Sequence, residues 1–172
     1  MKLSLCIDAP EDSLDSEPGT DDSCSTIPNY PEIDQLVNEA EDISRVLEEE
    51  LVQLLPASKL YETVEISLSF VSSEAIRELN RAYRDTDEAT DVLSFQLFGN
   101  EPVDVPELPI LSLGDIVICP EETARLHPEL TLHDSLRLMI AHSFLHLLGY
   151  DHDTEEAQAE MWALQDRIAG RL

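Results

Sequence analysis

The chain has 172 residues, of which 37 are acidic and 10 basic, and its formal net charge is −27. This length suits one domain with a hydrophobic core and is short for two, so we expect a single domain over residues 1–172. No apolar run approaches the ~20 residues that span a bilayer. The N-terminus MKLSLCIDAPEDS has acids where a signal peptide has its apolar segment. Three cysteines without paired spacing agree with a reducing compartment, and we expect a cytoplasmic location.

The first part of the chain combines structure-forming and polar segments. Residues 2–7, KLSLCI, alternate apolar and polar side chains and predict a strand. Residues 8–31 are rich in Asp, Glu, Ser, Pro and Gly, a composition typical of a disordered insert. From Pro31 to Leu55 apolar residues recur near a helical period and predict a first helix. The cysteines are interpreted as two small core side chains and one residue of the insert: Cys6, Cys119 and Cys24.

The rest of the chain alternates strands with helices. Residues 63–71, TVEISLSFV, predict a strand, and Ser73 is expected to cap a helix that runs to about Tyr83. The remaining predicted elements are strands over 91–98 and 112–119, a proline-rich loop from Gly99 to Pro109 between them, a short helix from Pro120, and helices over 131–148 and 154–169. This order predicts an α+β fold, an α/β sandwich with a four-stranded mixed sheet and a central metal-binding helix. In the last helix we expect four core side chains: Met161, Trp162, Leu164 and Ile168.

Residues 141–153, AHSFLHLLGYDHD, contain three of the five histidines in the spacing HxxxHxxGxxH. His142 and His146 are four apart in an apolar run, so they lie one turn apart on the same face of a helix. Gly149 is expected to end this helix in a left-handed conformation and to return the chain, which brings His152 to the same point. Three imidazole ligands at about 2.0–2.1 Å leave a fourth position open, as in catalytic zinc sites. We expect one Zn²⁺ per chain.

Zincin and metzincin peptidases share this histidine spacing, but they have Glu next to the first histidine as general base. This chain has Ser143 at that position. A metallopeptidase of reduced form therefore stays open as an alternative that lacks its base. A second alternative is that two histidines belong to a core helix and the third to a turn, without a metal. The agreement between helix pair, glycine and third histidine favours the metal site.

Two other motifs accompany the histidines: ELNRAYRDTDEATDVLSFQLF at 78–98 and LSLGDIVICPE at 112–122. Together with HSFLHLLGYDH they resemble the YbeY family over roughly residues 62–172. The resemblance implies a single-strand-specific, metal-dependent endoribonuclease of late-stage 16S ribosomal RNA 3′-end maturation and ribosome quality control. It implies His142, His146 and His152 as metal ligands. It also implies a ribosomal RNA precursor or the small ribosomal subunit as partner, with neither DNA nor a membrane, and names no protein partner.

The arginine of the family's LNxxYR motif corresponds to Arg84, which we expect to be catalytic because a guanidinium fork suits phosphate oxygens. The family usually has glycine where this chain has Ser143. Phe144 follows, and we expect its ring beside the metal, where it narrows the mouth of the site. No side chain is identified as general base. A non-catalytic ribosome-assembly module with a structural zinc is therefore a further alternative.

The acidic charge opposes RNA binding, because a phosphate polymer is repelled on average. The acids are concentrated, however: residues 8–22 hold seven acids and no base, and residues 32–50 hold eight acids and one base. Both segments precede the family-like region, so their charge can face away from the site. Arg77, Arg81 and Arg84 are spaced along one side of a predicted helix. For Arg77 and Arg81, attraction of phosphate and an ordinary solvated helix face are both open.

Several other polar residues lie near the three motifs. Asp151 is a candidate to orient a ligand ring, whereas Asp153 is typical of an acidic turn. Asp91 and Asp115 are expected to cap turns or to support the site from behind, without a catalytic role. Two further histidines are assigned no ligand role: His127 and His133.

Overall fold

A computed structural model describes residues 1–8, 28–97 and 109–172. The expected insert at 8–31 and the expected loop from Gly99 to Pro109 lie mostly outside these residues, as does Cys24. The strands are β1 (Lys2–Asp8), β2 (Thr63–Phe70), β3 (Val92–Gln96) and β4 (Ile110–Ile118). The helices are α1 (Pro31–Asn38), α2 (Ala40–Leu54), α3 (Ser73–Arg84), α4 (Pro120–Leu126), α5 (Leu132–Leu147) and α6 (Glu155–Ala169), with a 3₁₀ turn at Pro56–Leu60.

The four strands form one mixed sheet in the order β1-β2-β4-β3. β1 pairs with β2 in parallel, β2 with β4 in parallel, and β3 with β4 antiparallel. β1 and β3 are therefore the two edges. This sheet with its packed helices confirms the predicted α+β fold, and each of the four strands overlaps a predicted one, although β4 begins two residues earlier than expected.

α5 is the central helix of the core. Its buried side chains include Leu136, Ile140, Phe144 and Leu147, which join apolar residues of the sheet in one cluster. A helix that is apolar on most sides is stable only when it is covered on most sides. No described helix is long and apolar enough to cross a membrane.

Gly114 of β4 allows α5 to approach the sheet closely. A β-carbon at this position would lie 2.1 Å from the carbonyl oxygen of Phe95 and 2.9 Å from Cδ2 of Leu147, and the residue has φ +144°. Only glycine tolerates this conformation and this space. The last turn of α5 is thereby held next to β3, the edge strand that forms one wall of the site described below.

The helix expected over 31–55 is interrupted at Glu39, which separates α1 from α2. The carboxylate of Glu39 accepts hydrogen bonds from His133 at 3.1 Å and from Arg137 at 2.8 Å, both in α5. Burial by itself raises the pKa of Glu39, but bonds from Gln35, Arg137 and His133 outweigh it and lower the pKa. A contact with a helix about a hundred residues away thus accompanies a break that local periodicity does not predict.

α6 is attached to α2 through Glu50, which is 1 % exposed. Its carboxylate forms ion pairs with Arg167 of α6 and with Arg171 just after α6. Met161 and Ile168 of α6 are fully buried, as expected, but Trp162 is 50 % exposed, so its assignment to the core is wrong. The expectation for Cys6 is wrong as well, because its side chain faces solvent, whereas Cys119 is buried as expected.

The β1 edge borders a groove of about 890 Å³ that runs along α2. Glu41, Glu48 and Glu49 line this groove. The backbone N–H of Leu3 donates to Oε2 of Glu48 at 2.9 Å, so a side chain occupies one donor of the open edge. The groove contains none of the histidines.

Candidate metal centre

The C-terminal end of α5 brings the three histidines of the HxxxHxxGxxH pattern together. The N–H of Gly149 donates to the carbonyl of His146 at 2.9 Å, and the N–H of Tyr150 donates to the carbonyl of Leu145 at 3.0 Å. These are the two bonds of a Schellman motif, which requires a left-handed residue after the helix. Gly149 provides it with φ 88°. The chain then turns back, and His152 returns to the face that carries His142 and His146.

The three imidazoles form a compact cluster. The ring centroids of His142 and His146 are 4.6 Å apart, and those of His146 and His152 are 5.3 Å apart. One ligand atom from each ring lies within 4.8 Å of the others. Nitrogen atoms that share one ion at about 2.0–2.1 Å lie at most about 4 Å apart, so small side-chain rotations close the set. Among the described residues, this is the one cluster of His, Cys, Asp or Glu side chains with such a geometry.

Hydrogen bonds on the outer side of two rings determine their tautomers. Nδ1 of His146 lies 2.9 Å from the carbonyl oxygen of Tyr150, which can only accept, so Nδ1 carries the proton. Nδ1 of His142 lies 2.9 Å from Oε1 of Gln165 in α6 and donates in the same way. Both Nε2 atoms then carry an unshared lone pair, because each neutral ring has its proton on Nδ1. They face each other at 3.1 Å.

Two lone pairs at this distance repel each other unless a proton or a metal ion lies at the site. Protonation is disfavoured, because burial lowers the pKa of His142 against the opposing effect of the bond to Gln165. Burial also lowers the pKa of His146, and the neighbouring His142 lowers it further. Neutral imidazoles with fixed Nδ1 protons and convergent Nε2 atoms are the form in which histidines bind metals. The donor set therefore fits a cation.

The histidines open into a cavity of about 700 Å³ between α5, the end of α3 and β3. Arg84 lines the cavity together with Asn80, Ser94 and Gln96, so the predicted arginine and the three histidines share one space. An η-nitrogen of Arg84 donates to the carbonyl of Ser94 at 3.4 Å, and the side chain is otherwise exposed. Arg84 is the last residue of α3, and the helix ends at Asp85, which adopts a left-handed conformation with φ 54°.

The three arginines of α3 differ in their contacts. Arg77 forms two hydrogen bonds to Asp87, at 2.9 and 3.1 Å, and this ion pair favours the interpretation of Arg77 as part of a solvated face. Arg81 and Arg84 form no ion pair with another described residue. The cap of α3 is Ser72, whose hydroxyl accepts from the N–H of Ala75 at 3.3 Å, one residue before the predicted Ser73.

The residues around the ligand positions have mixed outcomes. Phe144 is fully buried in the core and does not line the cavity, so the expectation that it narrows the mouth of the site is wrong. A helix turns by about 100° per residue, and the residue two after a cavity-facing histidine faces the opposite side. Ser143 is also fully buried, and its hydroxyl has no hydrogen-bond partner among the described residues.

The acidic candidates act on the backbone or on other side chains. Asp151 accepts from the N–H of His152 at 2.8 Å, whereas its carboxylate is 3.9 Å from Nδ1 of that ring, beyond hydrogen-bond length. Asp91 accepts from the N–H of Val92 at 2.9 Å, as a turn cap does, and its other oxygen lies 3.2 Å from Nε2 of His127. His127 and His133 thus bind carboxylates and lie outside the imidazole cluster.

Sequence reasoning missed two residues that support the site. Gln165 lies 23 positions after His142 in an ordinary amphipathic helix, so no spacing connects it with the motif. Asn80 is buried, and its amide donates to the carbonyl of Glu88 at 2.8 Å, which holds the loop between α3 and β3 against the cavity. Asn80 is the asparagine of the LNxxYR motif, and this is a sequence signal for its role, whereas the sequence around Gln165 contains no such signal.

Comparison with known proteins identifies the family to which the chain belongs. The model of a family described as Endoribonuclease YbeY matches residues 31–172, which is most of the chain. The chain belongs to the YbeY family. The three motifs that suggested the resemblance all lie inside the matched range, and so do the three histidines and Arg84.

Individual YbeY relatives extend the comparison. A protein of Clostridioides difficile named Endoribonuclease YbeY is 38 % identical over 135 residues, which cover 77 % of this chain and 88 % of that protein. One of the same name from Agrobacterium fabrum is 43 % identical over 140 residues, 80 % of this chain and 77 % of that protein. The solution structure of a Thermotoga maritima protein is similar at 26 % identity and a TM-score of 0.49, over 98 % of this chain and 87 % of that one.

Proposed function

We propose that this chain is a zinc-dependent endoribonuclease, a single domain with one Zn²⁺ held by His142, His146 and His152. The observation that carries the proposal is the 3.1 Å distance between Nε2 of His142 and Nε2 of His146. Each of these atoms carries a lone pair, because the hydrogen bonds at Nδ1 hold the ring protons there. The third imidazole lies within reach of the same point. Imidazole nitrogens suit zinc, and a set of three leaves a coordination position for a reactant.

The two walls of the cavity have complementary roles in this proposal. A zinc ion on three neutral ligands keeps its full charge, and when bound it activates water and polarises a phosphoryl oxygen. Arg84, on the other wall, binds phosphate oxygens and offsets the charge that develops on them during cleavage. Gln165 and the carbonyl of Tyr150 hold two ligand rings in the metal-binding tautomer.

The proposed substrate is single-stranded ribosomal RNA, with a role in 3′-end maturation of 16S RNA and in ribosome quality control. The name Endoribonuclease YbeY of the relatives supports an RNA substrate. The distribution of charge supports it too, because Asp151 is the only acid among the described residues that line the cavity. An RNA backbone therefore meets histidines, Arg84 and polar groups there in an otherwise acidic protein.

The peptidase alternative has less support from the geometry. The residue after the first ligand is Ser143, which is buried and does not line the cavity, so it offers no general base to a substrate there. Asp151 uses an oxygen to bind the N–H of His152. We assign no side chain of this chain as general base.

Metal analysis combined with cleavage assays tests the proposal. The purified protein should contain one zinc per chain and should cleave a single-stranded ribosomal RNA fragment, with activity lost in a chelator and casein left intact. His146→Ala leaves two ligands and should lose both the metal and cleavage. His127→Ala is the matched control and should keep both, because His127 faces Asp91.

The alternatives give different results in the same assays. One zinc per chain in His146→Ala would refute the ligand assignment. Zinc in the parent without any cleavage of RNA would favour the ribosome-assembly module, and chelator-sensitive cleavage of casein would favour a peptidase.

A further inference from the structure

An exposed aromatic surface adjoins the metal cavity at the junction of α3 and β3. Tyr83 is 67 % exposed and Leu97 is 63 % exposed. The ring of Tyr83 contacts half-buried Phe95 with centroids 5.1 Å apart and planes at 72°. This edge contact fixes the Tyr83 ring while most of its surface stays open to solvent. A tyrosine exposed to this extent contributes little to the core, and most of its ring is available to a ligand.

This surface borders the cavity wall across the edge strand β3, because side chains alternate along a strand and Phe95 faces away from Ser94 and Gln96. Tyr83 precedes Arg84, and Phe95 lies between Ser94 and Gln96; Arg84, Ser94 and Gln96 all line the cavity. The bond from Arg84 to the carbonyl of Ser94 joins the end of α3 to β3 at this place. Tyr83 itself does not line the cavity, but its ring lies beside the wall that Arg84 and Ser94 form, within reach of a ligand that extends past Arg84.

The charge around Tyr83 identifies the kind of ligand. The chain has ten basic residues against 37 acidic ones. Six of the eight arginines form ion pairs with described carboxylates. The two that do not are Arg81 and Arg84, and both are within two positions of Tyr83. Arg84 forms no ion pair with a described carboxylate, and Arg81 interacts with Asp87 only at longer range. Guanidinium groups available beside an open aromatic ring suit a ligand that carries both phosphates and flat bases.

We propose that Tyr83 is a stacking platform for one unpaired base of the RNA substrate, next to the phosphate bound by Arg84. This inference rests on the proposed endoribonuclease function and adds a determinant of its single-strand specificity. Bases stack on aromatic side chains only when they are not stacked in a duplex, so such a platform selects single strands or loops. Stacking is tolerant of base identity, so Tyr83 sets strandedness and register more than sequence.

Equilibrium binding to a fluorescein-labelled single-stranded RNA oligonucleotide tests the proposal. Anisotropy is measured on the full chain in a chelator, so that the RNA stays intact. Tyr83→Ala should weaken binding by roughly 5- to 150-fold, the effect of losing one stacked base. Tyr83→Phe should bind like the parent, and Tyr83→Leu, which is apolar but not aromatic, should bind like Tyr83→Ala. Leu60→Ala, at a side chain that is 80 % exposed and outside the cavity, is the control and should bind like the parent.

Two further measurements separate stacking from charge. The slope of log affinity against log salt should be the same for Tyr83→Ala and the parent, because no cation is removed, while Arg81→Ala should reduce it. An oligonucleotide that lacks its bases should bind the parent as weakly as intact RNA binds Tyr83→Ala. This arm uses the unaltered protein and holds even where a variant folds poorly.

The outcomes that overturn the inference are distinct from those that overturn the proposed function. RNA affinity of Tyr83→Ala equal to the parent, or full affinity of Tyr83→Leu, would refute the platform while RNA cleavage by the parent stands. A changed oligomeric state of Tyr83→Ala with unchanged RNA affinity would identify the surface as a protein contact and refute it as well. A parent that neither binds nor cleaves RNA would refute the proposed function itself.

Discussion

Gln165 offers the sharpest test of how the cluster binds metal, because it touches no substrate and carries no charge. Its Oε1 accepts from Nδ1 of His142 at 2.9 Å, and it comes from α6 rather than from the motif. Gln165→Leu keeps a similar volume but removes the acceptor. The ring of His142 then has no partner to fix its tautomer, and a half-buried N–H is left unpaired.

The size of the effect follows from that one bond. Loss of an outer partner of a ligand histidine typically costs about 10- to 100-fold in metal affinity, or about 1.4–2.7 kcal/mol. Gln165→Glu should bind zinc at least as well as the parent, because a carboxylate accepts a stronger bond from Nδ1. Gln158→Leu, the same substitution in the same helix away from the cavity, should leave the affinity unchanged.

Competition with a chromophoric zinc chelator at neutral pH gives the affinities, and thermal melts in a chelator show whether each variant is folded. A folded Gln165→Leu protein with the zinc affinity of the parent would refute the reasoning. It would mean that His142 reaches the metal without help from α6, or that it is not a ligand.

Three other substitutions test separate features. Arg84→Lys keeps the positive charge but loses the planar guanidinium, so it should keep its fold and zinc while its rate of RNA cleavage falls about tenfold or more, and Arg77→Lys should change that rate little. Equal rates for Arg84→Lys and the parent, on the same RNA at the same salt, would make Arg84 an ordinary surface charge. Ser143→Ala removes a buried hydroxyl that has no partner among the described residues, and it should raise the free energy of unfolding in urea by about 1 kcal/mol. The hydroxyl of Ser135 donates to the carbonyl of Thr131 at 2.9 Å, so Ser135→Ala should lower the free energy of unfolding by about as much. A lower free energy of unfolding in Ser143→Ala would contradict this reasoning. The pKa of Glu39 is lowered in the folded protein, so its stabilising effect is present above the ordinary value near 4.5 and is lost as the pH falls through the folded value. Glu39→Gln should therefore have a lower free energy of unfolding in urea than the parent near neutral pH, and this difference should disappear in acid. A difference that does not change with pH would count against the ion pair.

The sequence predicts this fold well where the signal is local. Short runs of strand-forming residues predicted the four strands, and the glycine after His146 predicted the turn that returns His152, because both signals depend on neighbouring residues alone. The failures concern the direction in which a helix faces. Phe144 and Trp162 each lie on a helix whose apolar pattern admits more than one rotation, and only the packing against neighbouring elements decides that the first is buried and the second exposed.

Long-range contacts account for the rest of what could not be predicted. The break at Glu39 accompanies bonds to α5, and the support of His142 comes from α6, so neither has a local pattern. The ion pair of Arg77 with Asp87 likewise depends on the loop after α3 folding back on the helix. Arg77 and Arg84 lie on the same side of the predicted helix, and only the structure shows that their contacts differ.

The contact of Glu48 with the β1 edge has a consequence for the behaviour of the protein at high concentration. An exposed edge strand is a template for aggregation, since its free N–H and C=O groups can pair with a strand of another molecule. Here Glu48 occupies the N–H of Leu3, and Glu41 and Glu49 line the same groove together with Lys2 and Arg45. A strand from a second copy would have to displace one carboxylate and approach the others, while the two molecules repel each other through a formal charge of −27 on each. The acidity that makes RNA binding harder thus protects the open side of the sheet, and we expect this colloidal protection to weaken as added salt screens the charge.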